Sequence, residues 1–435
     1  MGSHVVQARP GSRAQVAAWA LWDFGATGVN AVVGTFVFAV YLTGQVGADL
    51  PGDTTPASWL GRALTFAGLF VALLAPATGV LVDAPRRRRS ALALLTGLVV
   101  AMTAAMSCID ADYRYLLPGL ILLACTAACS DLATVPYNAA LSQLSTPRNI
   151  GKISGIGSAS GFFGSVALLL ILYTGFIAGD GDTRGLFGLA AEHGQNIRVS
   201  MVFAAAWLAI FACPLLVLVR PPATADPGPT VGFAGAYRTL WREVRSEWRR
   251  DRNVIYYLLA SAVFRDGLTG IFAFGAVLGV SVYGVSQADV LIFGVCVSVV
   301  AAVGAAAGGL LADRAGPKPV ITCSLAAMLA VALVLLNGSG TLVFWVCGLA
   351  LCLFVGPILA SARALMLRLA APGKAGVAFG LYTTTGRAAS FLAPWMFFTF
   401  VDLFGTDRAG LGGLCVVLAA GLLAMLAVRV PREAS

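Results

Sequence analysis

Long apolar runs, separated by short charged turns, recur along the whole chain. Each run reaches the roughly 20 residues that a helix needs to cross the hydrocarbon core of a bilayer. Interior prolines and glycines are tolerated in such helices, because neighbouring helices satisfy the freed backbone groups. The pattern therefore predicts an all-α membrane protein with twelve transmembrane helices. Their expected ranges are 14–42, 58–82, 90–109, 115–143, 153–178, 198–219, 254–282, 287–312, 319–337, 341–370, 376–402 and 409–429.

Two similar charged turns indicate that the chain consists of two related halves. Residues 79–89 read GVLVDAPRRRR and residues 309–318 read GLLADRAGPK, so glycine precedes aspartate by four positions in both turns. A second repeat keeps one constant offset, in which Pro147, Gly151 and Gly155 correspond to Pro372, Gly376 and Gly380. We expect two pseudo-symmetric six-helix bundles, because membrane proteins of this size often arise by such duplication. The expected domains are an N-terminal bundle over 14–219, a linker over 220–252 and a C-terminal bundle over 253–429.

The linker is expected to contain an amphipathic helix. It begins with a proline-rich stretch, and then apolar and basic residues recur at helical spacing on separate stripes. The apolar stripe is Phe233, Tyr237, Leu240, Trp241, Val244 and Trp248. Such a helix lies in the headgroup layer of the membrane. We interpret it as a spacer between the halves, with docking of a partner as the alternative.

Composition and charge agree with a membrane location. Of the 435 residues, 59% are hydrophobic and 11% are charged, against roughly 25% charged residues in soluble proteins. A net charge of +9 would suggest nucleic acid as a partner of a soluble protein. Here the basic residues cluster in alternate loops, which orients helices in a membrane. We predict a protein of the bacterial plasma membrane with both termini in the cytoplasm, surrounded by lipid and without a nucleic-acid partner.

The chain lacks the sequence patterns of cofactor, metal and enzyme sites. Its nine cysteines lie in apolar runs without a C-x-x-C pair, and Cys125 with Cys129 is better explained as helix packing than as a metal site. No Walker sequence is present, so ATP is not expected to drive a cycle. No convincing pair of nucleophile and base appears either. We expect neither an enzyme nor a bound cofactor.

Several motifs resemble the major facilitator superfamily. The two charged turns resemble its loop between the second and third helices, although Pro85 and four arginines depart from the pattern. Five further motifs span Trp19 to Phe24, Pro136 to Ala139, Phe264 to Gly267, Phe379 to Tyr382 and Gly386 to Phe391. They resemble the vacuolar amino-acid effluxer branch of that superfamily, the autophagy-related permeases and their bacterial relatives. The resemblance implies a monomeric secondary transporter whose halves alternately expose a central cavity to each side.

Six charged residues are expected at membrane depth, where charge costs a few kcal/mol and usually marks a pathway. They are Asp23, Asp131, Arg265, Asp266, Arg363 and Arg387. Asp23, Thr27 and Asn30 share one helix face, and Asp131 and Asn138 repeat that geometry. A carboxylate in a dry cavity can exchange protons, which makes both acids candidates for proton coupling. The alternative is that a buried arginine holds each acid ionised to fix helix packing.

The three arginines are candidates for an anionic group of a substrate, because a guanidinium offers a planar fork of donors. Tyr382 adds a hydroxyl beside Arg387. Arg265 and Asp266 are neighbours about 100° apart on a helix, so they point in different directions. The six charges cancel, which favours internal salt bridges or a zwitterionic solute over a strongly charged one. For Arg363 and Arg387 both interpretations stay open.

The acids of the two charged turns are candidates for gating. The resemblance implies that Asp83 and Asp313, with its neighbour Arg314, steady the outward-open state. Each acid is expected near the N-terminus of a helix in the opposite half, where anions are favoured. The glycine-rich segments at Gly376 and Gly151 allow the close backbone approach that this needs. The alternative is that each aspartate caps its own turn.

Three functions are compatible with this reading. The first is transport of a small polar or zwitterionic solute, such as an amino-acid-like metabolite, as a proton-coupled symporter or antiporter that works in efflux. The second is export of a drug or natural product through an apolar, aromatic cavity with its charges paired off. The third is a membrane sensor that does not transport, which we would expect to carry further soluble domains.

Overall fold

The computed structural model describes residues 11–51, 54–179, 181–219 and 252–429, with a few helical positions between 235 and 249. The described residues are almost entirely helical. Of the predicted apolar stripe in the linker, Phe233, Leu240, Val244 and Trp248 lie outside the described residues. Tyr237 and Trp241 lie at helical positions.

The first half contributes six long helical segments. They are α1 over Arg13–Val46, α2 over Pro56–Val82, α3 over Pro85–Ala105, α4 over Leu116–Leu144, α5 over Ile150–Leu172 and α6 over Gln195–Leu218. Short 3-10 turns cover Met106–Cys108, Tyr113–Tyr115 and Glu192–Gly194. After α5 and its π turn at Tyr173–Ile177, a small antiparallel hairpin pairs Thr183–Arg184 with Leu189–Ala190.

The second half repeats this arrangement, except that its eleventh helix is broken. The segments are α7 over Arg252–Ser281, α8 over Gln287–Ala315, α9 over Pro317–Asn337, α10 over Thr341–Leu369, α11 in two parts over Ala375–Ala389 and Leu392–Phe404, and α12 over Asp407–Ala427. Among the described residues, eleven helices are individually long and apolar enough to cross a membrane. The two parts of α11 supply the predicted twelfth span.

The first helix also departs from regular geometry. Its outer part contains two π-helical turns, Val32–Phe36 and Leu42–Val46, around a short α-helical turn. Apolar periodicity over 14–42 could not predict these turns, because a π turn inserts one residue without changing composition.

Equivalent hydrogen bonds show the internal symmetry of the two halves. The Trp19 indole on α1 donates to the Tyr137 carbonyl on α4 over 3.0 Å. In the second half, the Tyr257 hydroxyl on α7 donates to the Ala362 carbonyl on α10 over 2.6 Å. Positions 137 and 362 keep the offset of the repeated glycines. The accepting carbonyls are therefore at equivalent positions in the two halves, although the donor is tryptophan in one and tyrosine in the other.

Close backbone contacts join the two halves at the end that carries the charged turns, here called the hinge side. There α2 packs on the first part of α11, and α5 packs on α8. A Cβ atom at Gly79 would lie 2.5 Å from the Gly376 carbonyl oxygen, and one at Gly155 would lie 2.9 Å from the Gly309 Cα. Only glycine permits this approach, so the hinge side of the protein is closed in this conformation.

The arginine run after Asp83 does more than face lipid headgroups. Arg88 is 6% exposed, and its guanidinium donates to the carbonyls of Val82 and Ala139 over 3.0 Å each. Arg89 donates to the Leu216 carbonyl at the end of α6 over 2.7 Å. These two arginines therefore bind the protein itself rather than lipid headgroups. The carbonyls of Val82 and Leu216 lie at helix C-termini, where they lack an intrahelical partner.

Substituting Gly164 by alanine should destabilise the first half. A Cβ atom there would collide with the Phe24 backbone of α1, which cannot move away as a flexible side chain can. We expect a loss of about 1–3 kcal/mol, as for other overpacked sites. The measurement is the melting temperature of the purified protein in detergent.

Gly97→Ala on α3 is the matched control, because nothing lies within 4 Å of a Cβ atom at that position. Its melting temperature should equal or exceed that of the wild type, since alanine favours the helix over glycine. Equal losses in the two variants would contradict a tight α1–α5 contact.

Candidate functional site

An ion pair between Asp23 and Arg363 connects the halves at their centre. Asp23 lies on α1 and Arg363 on α10, and the guanidinium nitrogen is 3.5 Å from the carboxylate oxygen. The two side chains are only 15% and 12% exposed, respectively. The Thr27 hydroxyl donates to the same carboxylate over 2.9 Å. Asp23 thus accepts from its own helix and from the opposite half.

Arg363 also binds α5 of the opposite half. Its second guanidinium nitrogen donates to the Ser154 carbonyl over 3.0 Å and to the Ser158 hydroxyl. The Ser154 hydroxyl returns a bond of 2.8 Å to the Ala360 carbonyl on α10. Three groups of the first half therefore bind Arg363. Because the guanidinium is planar and uses several of its donors at once, these contacts fix its orientation.

Aromatic rings form the wall behind this pair. Tyr137 stacks between Trp19 and Trp22, with ring centroids 4.5 and 4.3 Å apart. The Trp22 indole donates to the Thr96 hydroxyl over 3.1 Å. The Arg363 guanidinium lies 5.6 Å from the Trp19 ring centroid, within the range of a cation–π contact. The surface of this wall is mostly apolar, but the faces of its aromatic rings are electron-rich and can attract a cation.

A second pair, Asp131 with Arg387, also joins the halves. Asp131 on α4 contacts Arg387 on α11 through its carboxylate. Their side chains are 23% and 41% exposed, so this pair is more open than the first. In both pairs the first half supplies the acid and the second half supplies the arginine.

The neighbours Arg265 and Asp266 on α7 contact the two parts of α11. Arg265 donates to the Tyr382 carbonyl over 2.9 Å, and its guanidinium lies 3.9 Å from the Tyr382 ring centroid. Asp266 is 5% exposed and accepts from the Ala393 amide in the second part of α11. Asp266 therefore accepts from the N-terminus of the second part of α11. The break before that part agrees with Pro394, which has no N–H and whose ring clashes with the carbonyl four residues earlier. Both contacts lie within the second half.

The acids of the hinge side bind helix N-termini of the opposite half. Asp83 accepts from the Gly376 amide over 2.8 Å and from the Val377 amide over 3.3 Å. Asp313 accepts from the Gly151 amide over 2.7 Å and from the Lys152 amide over 2.8 Å. Helix N-termini present free amides and a positive potential, so they suit a carboxylate. The contacts lie where the sequence places them, and their role in gating stays a prediction.

The remaining predicted site residues do not contact the two ion pairs between the halves in the way the sequence suggested. Asn30 is exposed on α1, and Arg314 is exposed beside Asp313. Asn138 is 7% exposed, and its carbonyl oxygen has no hydrogen-bond partner among the described residues. Tyr382 is 4% exposed and contributes its ring and its carbonyl to Arg265 rather than a hydroxyl to Arg387.

Sequence reasoning missed several residues of the central site. Ser154, Ser158 and Tyr137 surround Arg363, and Gly161 makes room for Asp23, because a Cβ atom there would lie 3.2 Å from the carboxylate. Gly386 makes the same room for Arg265. Positions 161 and 386 keep the offset of the repeated glycines, so the internal repeat contained a usable signal. The serines gave no such signal.

The structure offers no evident metal site within the part of the chain that it describes. No group of three histidine, cysteine or acidic side chains there could hold a metal ion. The nine cysteines are free.

Twelve helices in two symmetric halves, which meet at buried charges, define the class of membrane transport proteins. The chain belongs to the Major Facilitator Superfamily, whose family model matches residues 24–394. The fold of two six-helix bundles and the family predicted from the motifs are therefore confirmed. Secondary transport is the activity of this family.

Relatives of known name include one of nearly equal length. The uncharacterized MFS-type transporter YxiO of Bacillus subtilis (strain 168) is 23% identical and covers 96% of this chain and 95% of its own. Autophagy-related protein 22 of Cryptococcus neoformans var. neoformans serotype D (strain B-3501A) is 25% identical over 71% of this chain. The chain spans 60% of the length of that fungal relative.

Solved structures support the fold. The E. coli fucose:proton symporter FucP is 15% identical, with a TM-score of 0.71, over 96% of this chain and 98% of its own. The proton:xylose symporter XylE is 14% identical, also with a TM-score of 0.71, and the match covers 95% of this chain and 94% of XylE. The human organic anion transporter MFSD10 is 16% identical, with a TM-score of 0.68, over 94% and 98%. Likenesses of this kind show the architecture and not the solute.

Acidification should favour the conformation that is closed on the hinge side. Burial raises the pKa of Asp83 from 3.8 to about 6, although the Val377 and Gly376 amides, Lys374 and Arg88 oppose that rise. If opening exposes the carboxyl and restores its ordinary pKa, protons bind preferentially to the closed form. The stabilisation of the closed conformation by protonated Asp83 is then fully present below pH 3.8, and it is lost as the pH rises through about 6. Spin-label distances between the hinge-side ends of α2 and α11 should shorten from pH 7.5 to pH 5.

Asp83→Asn is the control, because an amide cannot titrate. Its distance distribution should change much less with pH than that of the wild type. An unaltered pH response in this variant would assign the effect to another group.

Proposed function

We propose that the protein moves a small zwitterionic solute, such as an amino-acid-like metabolite, by alternating access. The observation that carries this proposal is the pair of acid–arginine contacts between the halves, Asp23 with Arg363 and Asp131 with Arg387. Each pair must separate when the halves rock apart, and separation would leave charges in a region of low dielectric. A zwitterion can replace both partners, since its ammonium group suits the acid and its carboxylate suits the arginine.

Protons offer a second way to separate the pairs. A proton on Asp23 would neutralise the carboxylate and weaken its attraction for Arg363. Coupling of this kind would let a proton gradient drive efflux, as an antiporter that exchanges the solute for protons. We place the protein as a monomer in a bacterial plasma membrane, with both termini and the hinge side in the cytoplasm. The support for this orientation is the excess of basic residues in the loops of that side.

The division of the chain is part of the same proposal. One bundle would comprise residues 14–219 and the other residues 253–429, with 220–252 as the connection. In support, one cluster of buried apolar residues lies almost wholly in the first half, and Ala364 is its one member from the second half among the described residues. The other cluster lies mainly in the second half and draws its further members from α2 and α4.

Export of an amphipathic drug or natural product is the second candidate. The observation that favours it is the aromatic wall of Trp19, Trp22 and Tyr137 beside charges that are already paired. If the pairing is permanent, the ion pairs should stay formed in every conformation of the transport cycle. The location of both pairs between moving halves argues against permanence, so we prefer the zwitterion.

Asp23→Asn should uncouple transport from protons. With proteoliposomes and the twenty proteinogenic amino acids as radiolabelled probes, we expect uptake driven by a pH gradient to fall at least tenfold. Exchange of internal for external solute at equal pH should continue, because no net proton movement is needed. The neutral amide keeps the shape of the side chain and the Thr27 bond.

Asp112→Asn is the matched control. Asp112 caps a short turn through the Arg114 amide over 2.8 Å, outside the site, and its substitution should leave both assays unchanged. Loss of exchange in Asp23→Asn would mean that the carboxylate binds the solute or the arginine and does not mainly carry a proton.

A further inference from the structure

The hydroxyl of Tyr137 is buried beside the Asp23–Arg363 pair. Tyr137 is 2% exposed, and its hydroxyl interacts with both the Asp23 carboxylate and the Arg363 guanidinium. No hydrogen bond of ordinary geometry to any other group adds to these interactions within the described part of the chain. A buried hydroxyl that loses its partners costs about 1–3 kcal/mol. The Tyr137 hydroxyl therefore needs a new partner when the ion pair separates.

The structure already contains a cation at this place. The Arg363 guanidinium lies against the face of Trp19 and beside Asp23, and Trp19 is parallel to Tyr137 within 2°. A different cation that replaced the guanidinium would meet the same carboxylate and the same ring faces. An ammonium group would also bring N–H donors within reach of the Tyr137 oxygen, which can accept a hydrogen bond.

The other end of a zwitterion also finds its partners here. Arg363 donates to the Ser158 hydroxyl and to the Ser154 carbonyl, so the guanidinium can stay anchored on α5 when it leaves Asp23. Its freed donor can then bind a carboxylate, and the Ser158 hydroxyl can donate to the same group. The Asp23 carboxylate and the Arg363 guanidinium lie 3.5 Å apart. The group that would bind the ammonium end of the solute is therefore close to the group that would bind its carboxylate.

The second ion pair is less enclosed. Asp131 and Arg387 are 23% and 41% exposed. Exposed pairs are screened by solvent and contribute little energy to binding. The two pairs therefore differ in burial, which favours the first pair as the place where the solute binds.

We propose that the ammonium group of the solute binds between Asp23 and the Tyr137 hydroxyl, with its carboxylate on Arg363 and Ser158. This assignment rests on the proposed function and names the pair that receives the solute. Tyr137 then selects for an ammonium group that carries N–H donors. A trimethylated ammonium group keeps the charge but has no N–H, so it should bind more weakly.

The test uses thermal stabilisation of the purified full chain. The twenty proteinogenic amino acids are added singly, and the strongest stabiliser is compared with its N-trimethyl derivative, since a ligand that binds the folded state raises the melting temperature. We expect the derivative to need at least tenfold higher concentration in the wild type. Tyr137→Phe should abolish that difference by weakening the parent amino acid about tenfold.

A matched variant separates a general loss of stability from a loss of recognition. Tyr137→Phe should melt below the wild-type temperature, because the hydroxyl interacts with both charges of the pair. Tyr283→Phe is the control, because the buried Tyr283 hydroxyl, in the turn after α7, donates to the Leu335 carbonyl over 2.7 Å, away from the site. This control should also melt at a lower temperature but keep the difference between the amino acid and its N-trimethyl derivative.

Two results would overturn the assignment alone. One is an amino acid that stabilises the wild type and Tyr137→Phe at the same concentration. The other is a Tyr283→Phe variant that loses the difference between the amino acid and its N-trimethyl derivative as Tyr137→Phe does. If no amino acid stabilises the wild type, the proposed function fails, and the assignment fails with it.

Discussion

The structure depends on ion pairs whose two members belong to different halves of the molecule. A charge at membrane depth is tolerated when it is paired or faces water. Asp23 and Asp131 come from the first half, and Arg363 and Arg387 come from the second. Neither half can satisfy these charges alone, so each needs the other half, a proton or a solute. Binding of a proton or a solute at these charges is therefore coupled to the movement of the halves.

The contacts of the hinge side obey the same logic with backbone amides in place of arginines. Asp83 and Asp313 each bind the N-terminus of a helix in the opposite half, and glycines at those helices allow the approach. The two contacts are not equivalent. Asp313 uses both carboxylate oxygens on two amides, whereas Asp83 uses one oxygen for both of its amides. Any asymmetry in opening should begin at Asp83.

The sequence predicted the helices, the repeat and the charged residues at membrane depth, because each leaves a pattern in composition or spacing. It also placed the hinge acids next to the correct glycines, because the resemblance to the superfamily implied contacts of these acids with helix N-termini of the opposite half. It could not say which acid meets which arginine, because pairing depends on how α1, α4, α10 and α11 cross in space. The break in α11 was missed because interior prolines such as Pro394 were expected to be tolerated within a continuous membrane helix. The bond from the Ala393 amide to Asp266 could not be predicted either, since the two residues lie more than a hundred positions apart. The arginine run shows the same limit, since burial of Arg88 depends on carbonyls of α2 and α4.

A double-mutant cycle on Asp23 and Arg363 tests the central claim most directly. The melting temperatures of Asp23→Asn, Arg363→Met and the double variant are compared with that of the wild type. Removing one partner leaves the other charge buried and unpaired, at a cost of roughly 3–5 kcal/mol, whereas removing both costs less. The account predicts that the double variant is more stable than either single variant. Losses that simply add would contradict it, because they would show that the two charges do not depend on each other.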